Sequence, residues 1–125
     1  MIHIGTNNLA GTPHYRAGTP AQIAEGITAI VERAQTKCPH AQVILMAVFP
    51  RGKGAVNPQR ANIAEINKLL SPLVQKPRVT FLDITDKWLA PDGSVSTGLM
   101  PDSLHPNEKG YHVWADALRT LLARP

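Results

Sequence analysis

Val43-Ile44-Leu45-Met46-Ala47-Val48-Phe49 is an unbroken apolar run, and a strand that is apolar on both faces belongs in a sheet covered on both sides. Met1 to Ile4 and Val79 to Ile84 are two more such runs. Apolar residues recur at three- and four-residue steps in the segments that follow each run, so strands alternate with helices. The resulting βαβαβα order predicts an α/β fold, with three parallel strands flanked by helices in a single domain over residues 1–125.

The helix boundaries are written in the sequence. Thr19-Pro20-Ala21-Gln22 offers a capping threonine, a proline whose φ is already set for the first turn, and a glutamine able to close a capping box. Ile23, Ile27, Ile30, Val31 and Ala34 then make one apolar face. The second helix opens at Asn57-Pro58, carries Ile63, Ile66, Leu70 and Leu73, and is stopped by Pro77. A third follows His105-Pro106-Asn107-Glu108, with Tyr111, Trp114, Ala115, Leu118 and Leu122 as its core stripe. Residues Asp86 to Leu104, rich in Gly, Pro, Ser and Asp, read as a functional loop, because long irregular connections in compact domains tend to bind or catalyse.

Composition narrows the function classes. At 125 residues and 43 % apolar content the chain can bury a core and is not a disordered tail. No window approaches the roughly 18 consecutive apolar residues of a membrane span, and Met1-Ile-His-Ile-Gly-Thr-Asn-Asn8 lacks the basic start of a secretory signal. The expected location is cytoplasmic, or open if a signal lies further upstream. Cys38, the single cysteine, cannot form an internal disulfide and reads as a partly buried bystander at a helix end. The net charge of +4 comes from thirteen Lys and Arg spread along the chain. That spread, with few aromatics, argues against nucleic acid as a partner. His3, His14, His40, His105 and His112 form no HxH or HExxH pair, so no metal or other cofactor is expected. Arg51-Gly52-Lys53-Gly54 lacks the full phosphate-loop pattern and reads as a turn.

Reactive side chains concentrate just beyond two expected strand ends, where open parallel sheets place ligands. In Asp102-Ser103-Leu104-His105 the carboxylate can accept the Nδ1 proton and leave the ring outward as a base. Alone, the pattern fits a loop histidine near an aspartate equally well. Asn7, in Gly5-Thr6-Asn7-Asn8, can donate its carboxamide to a developing oxyanion, a contact typically worth about 3 kcal/mol of barrier. A simple turn explains the same residues.

Taken together, the two motifs and their order resemble the SGNH/GDSL hydrolases, whose third block is Gly-x-Asn-Asp and whose fifth is Asp-x-x-His. Ile4-Gly5-Thr6-Asn7-Asn8 and the turn Phe49-Pro50-Arg51-Gly52 are similar in particular to the branch of platelet-activating-factor acetylhydrolase catalytic subunits and their bacterial relatives. The resemblance runs the whole length of the chain. It implies acyl- or acetyl-ester hydrolysis on a small acyl-ester substrate, with His105 as base, Asp102 orienting it and Asn7 as oxyanion donor. Gly5, Thr6, Asn8 and Leu104 would line the substrate. Asn8 replaces the commoner Asp but agrees with the acetylhydrolase branch.

The family's Gly-Asp-Ser block and its glycine block are not found in the sequence. Ser71 precedes Pro72 in a helix pattern, leaving Ser94, Ser96 and Ser103 as substitute nucleophiles, none in a strand-to-helix elbow. The resemblance therefore implies the C-terminal portion of such a hydrolase, truncated and weak or inactive alone, with Met1 inside a strand. If the sheet is flavodoxin-like, in the order 2-1-3-4-5, the first strand becomes an exposed edge and invites a homodimer through Met1 to Ile4. Two alternatives stand beside this reading: a non-catalytic self-associating module, and an active esterase using a loop serine.

Overall fold

A computed structural model describes residues 1–11, 13 and 16–123. His14 lies outside the described residues. The chain forms two compact units, Met1–Val48 with Ala61–Asp83, and Phe49–Arg60 with Ile84–Pro125. The main helices are α1 (Pro20–Lys37), α2 (Pro58–Leu70) and α3 (Glu108–Leu122). The strands are β1 (Val43–Met46) and β2 (Val79–Leu82), which pair in parallel with Leu45 opposite Phe81.

In the first unit the expected third strand shrinks to one parallel bridge, Ile2 to Leu45. Ile2 donates to the Ile44 carbonyl at 2.8 Å and accepts from the Met46 amide at 2.9 Å, on the edge of β1 opposite β2. The ladder stops there because Gly5 turns the chain away at φ 115° into the 3-10 turn Thr6–Leu9. Only glycine fits: a Cβ at residue 5 would stand 3.1 Å from Ile27 and 3.2 Å from Val48, at a φ that side chains avoid.

β1 is also shorter than the apolar run that announced it. Ala47 still reaches the Leu82 carbonyl at 2.9 Å, but the pairing of Val48 passes to a side chain. Asn67 accepts from the Val48 amide at 2.7 Å and donates to the Val48 carbonyl at 3.0 Å.

The capping box of α1 forms as its residues dictate, with the Gln22 amide on Thr19 Oγ1 at 3.2 Å and the Thr19 amide on Gln22 Oε1 at 3.0 Å. Ile23, Ala24, Ile27 and Val31 pack into a core with Leu45, Ile63, Ile66, Leu70 and Val79. Each large aliphatic side chain buried there contributes about 1.5–3 kcal/mol. Ile30, expected on the core face, is 45 % exposed because it sits on the flank of that stripe. Cys38 is exposed rather than partly buried, since it caps the free end of α1 through the Ala34 carbonyl. The second helix ends at Leu70 and tightens into the 3-10 turn Ser71–Gln75. Pro72 has no N–H for the next α-helical bond, so the helix stops ahead of Pro72 rather than at Pro77.

The second unit is built on turns. Asp86 to Leu104, expected to be an irregular loop, carries the buried anchors Trp88, Val95 and Met100. Leu89 and Val95 form an antiparallel bridge around Pro91-Asp92-Gly93, with Gly93 at φ 78°. Phe49 packs on Trp88 and Trp114 at centroid distances of 4.6 and 4.9 Å. The stripe expected to be core on α3 is only partly covered in its unit, with Tyr111 58 % and Leu122 69 % exposed. The close seat is Gly110, where a Cβ would lie 2.7 Å from the Leu99 carbonyl oxygen and 3.2 Å from the Trp88 ring. That contact turns the glycine flank of the helix inward and leaves Tyr111 outside.

Candidate active site

The acid–base pair is assembled within one loop of the second unit. Asp102 Oδ2 lies 2.6 Å from His105 Nδ1. Its other oxygen accepts from the backbone amides of Leu104 at 3.0 Å and His105 at 2.7 Å. These N–H donors and the imidazole hold the Asp102 carboxyl down to about 2, the His105 amide having the largest effect. A carboxylate so fixed stays ionised and keeps the ring in the tautomer that presents Nε2 outward.

The loop owes this geometry to Ser103, which takes the left-handed conformation at φ 60°. Its amide donates to the Met100 carbonyl at 2.9 Å, and its own carbonyl accepts from Gly52 at 2.9 Å. On the far side Asn107 caps α3 through the Gly110 amide at 3.0 Å and donates to the Gly98 carbonyl at 2.9 Å. The pair itself is open to water, with the His105 side chain 75 % and the Asp102 side chain 56 % exposed. Solvent screens such a contact, so its value is orientation rather than stability.

Among the described residues no serine hydroxyl is hydrogen-bonded to His105. Ser94 donates its hydroxyl to Asp92 at 2.6 Å, which locks it into the Pro91-Asp92-Gly93 turn and lowers the Asp92 carboxyl. Ser103 is buried, Ser96 is half-buried, and Leu104 beside the pair is half-buried. In the first unit Asn7 and Asn8 are exposed on the 3-10 turn, between buried Gly5 and half-buried Thr6 on one side and buried Leu9 on the other. The Asn8 carbonyl accepts from Gly18 at 2.9 Å, which ties that turn to the approach of α1.

Among the described residues no three His, Cys, Asp or Glu side chains gather into a metal-binding group. No helix among them is long and apolar enough to cross a membrane. Sequence reasoning missed Asn57 in this unit and Asn67 in the first unit. Asn57 was visible only as a helix start, and nothing local marks Asn67, which sits on the buried side of α2.

Residues 1–113 match the model of the GDSL-like Lipase/Acylhydrolase family. The human platelet-activating factor acetylhydrolase IB subunit alpha1 is 34 % identical over 125 residues, covering 99 % of this chain and 51 % of its own length. A Bacteroides fragilis protein assigned as an acylhydrolase superposes with a TM-score of 0.74 at 25 % identity, over 96 % of this chain and 58 % of its own. A Streptococcus pneumonia protein named as a platelet activating factor gives 0.76 at 20 % identity, over 96 % and 57 %, a likeness of fold. The chain belongs to the GDSL-like lipase/acylhydrolase family. It spans about half the length of the relatives it matches.

Proposed function

We propose that this chain carries the acid–base half of an acyl-ester hydrolase site and is weakly active or inactive alone. His105 is the base, Asp102 orients it, and Asn7 donates to the oxyanion. Gly5, Thr6, Asn8 and Leu104 line a small acyl or acetyl ester. The observation carrying the reading is the 2.6 Å contact between His105 Nδ1 and a carboxylate whose other oxygen is held by two backbone amides. A solvated loop histidine with a chance aspartate neighbour would not need that second set of donors. No cofactor enters the reading. An imidazole oriented in this way can still draw a proton from water, so residual hydrolysis of an activated ester is expected without a serine.

The test is hydrolysis of p-nitrophenyl acetate at pH 7.5 by the wild type, His105→Ala and Asp102→Asn. Each variant should lose about tenfold of the rate above buffer, less than the roughly hundredfold or more that a general base supplies in a complete site. Hydrolysis clearly above buffer and equal in all three proteins would sink the reading. Fluorophosphonate labelling of the same proteins decides the nucleophile, since a His105-dependent adduct on Ser94, Ser96 or Ser103 would identify a recruited serine.

A second reading is favoured by a separate observation. Met1 is 64 % and Ile4 42 % exposed around the single Ile2 bridge, which suits a non-catalytic module that associates with itself through the first strand.

A further inference from the structure

The turn formed by residues 51–54 closes around the side chain of Asn57. One end of that carboxamide caps α2, with Oδ1 accepting from the Arg60 amide at 3.2 Å. The other end lies against two carbonyls of the turn, Nδ2 standing 3.3 Å from the Arg51 oxygen and 3.4 Å from the Lys53 oxygen. A Cβ at Gly52 would fall 2.4 Å from the same nitrogen, so the carboxamide fills the inside of the turn. Gly52 and Gly54 sit at φ 86° and 78°, conformations that glycine adopts freely.

The turn does not end in solvent. The Gly52 amide donates to the Ser103 carbonyl at 2.9 Å, at the one residue of the acid–base loop held in the left-handed region. A serine costs more than glycine at φ 60°, and such a conformation persists only where its surroundings hold it. The left-handed turn at Ser103 is also what brings the Leu104 and His105 amides round to one oxygen of Asp102, freeing the other for the imidazole.

We infer that Asn57 and Gly52 are positioning residues for the acid–base pair: the carboxamide shapes the turn so that the Gly52 amide holds Ser103 left-handed and aims Asp102 at His105. The inference rests on the ester-hydrolase reading for its catalytic meaning, while its geometry is measurable without any turnover.

The decisive variant is Asn57→Ser, which remains neutral and keeps an oxygen that can cap α2 but loses the N–H groups facing Arg51 and Lys53. Its melting temperature should stay near that of the wild type. The Asp102 carboxyl, followed by carbon NMR through an acid titration, should move up from about 2 toward its ordinary value of 3.8, and the His105 Nδ1 proton should lose its downfield resonance. Gly52→Ala should give the same shift by pushing the carboxamide out of the turn. An Asn57→Ser protein that still titrates at about 2 would overturn the inference. So would a Gly52 amide that exchanges with solvent as fast as an open one in the unaltered protein, a measurement independent of how any variant folds. A shifted titration with ester hydrolysis that does not depend on His105 leaves the positioning intact and removes the hydrolase reading. An unshifted titration with His105-dependent hydrolysis does the reverse.

Discussion

Asn67 shows how one polar side chain can finish a strand. Val48 is fully buried, and both of its backbone groups pair with the same carboxamide, at 2.7 and 3.0 Å. Burying an amide and a carbonyl without partners costs about 1–3 kcal/mol each, so Asn67→Leu should lower unfolding stability by about 2–4 kcal/mol although it adds apolar volume. Urea denaturation gives the number, and a loss below about 0.5 kcal/mol would mean that Val48 finds other partners. Asp102 is held by the same kind of contact on the surface. There the donors fix a charge in place and water weakens their energetic value, so the pair orients without stabilising much.

At the scale of the element, the first segment of the chain bridges β1 at Ile2, and its neighbour His3 is pushed toward the neutral form by burial, below its ordinary value of 6.5. An unfolded chain protonates His3 near 6.5, whereas the folded one resists until a lower pH. The unfolded state therefore binds the extra proton first, and stability falls as pH drops below about 6.5. Melting temperatures measured between pH 7 and pH 5 should decline more steeply for the wild type than for His3→Gln, whose side chain does not titrate. Identical slopes would show that the imidazole is solvated.

The same elements separate what was legible in the sequence from what was not. α1 and α2 begin where Thr19-Pro20 and Asn57-Pro58 predict, because capping chemistry is local. Asp102 and His105 come within hydrogen-bond distance because only two residues and one turn separate them. The strand lengths and the covering of α3 were not legible, since they depend on Asn67 reaching Val48 and on Gly110 meeting Leu99 and Trp88. Asn57 escaped notice because its cap role is visible locally and its contacts to the 51–54 turn are not.

For the molecule as a whole, the first unit presents apolar surface that its described residues leave open. Ile4 and Ile30 are 42 % and 45 % exposed, and with Ile23, Ile27 and Gly26 they line an open groove of about 240 Å³. Gly26 lies inside α1, where glycine costs about 1 kcal/mol relative to alanine, and a Cβ there would meet nothing within 4 Å. No contact among the described residues requires that glycine, whereas a second polypeptide lying close along α1 would. Apolar surface of this kind beside a short edge segment promotes association. The self-associating reading then makes a definite demand on sedimentation velocity. The wild type should form a concentration-dependent dimer, and Ile4→Glu, which places a charge on the first strand, should shift it to monomer without changing helix content. Ile30→Glu tests the groove separately from the strand: loss of the dimer in both variants assigns one continuous interface, and loss in Ile4→Glu alone confines it to the strand. A wild type that sediments as a monomer at every concentration removes both the strand and the groove as interfaces, and a dimer untouched by Ile4→Glu removes the first strand alone.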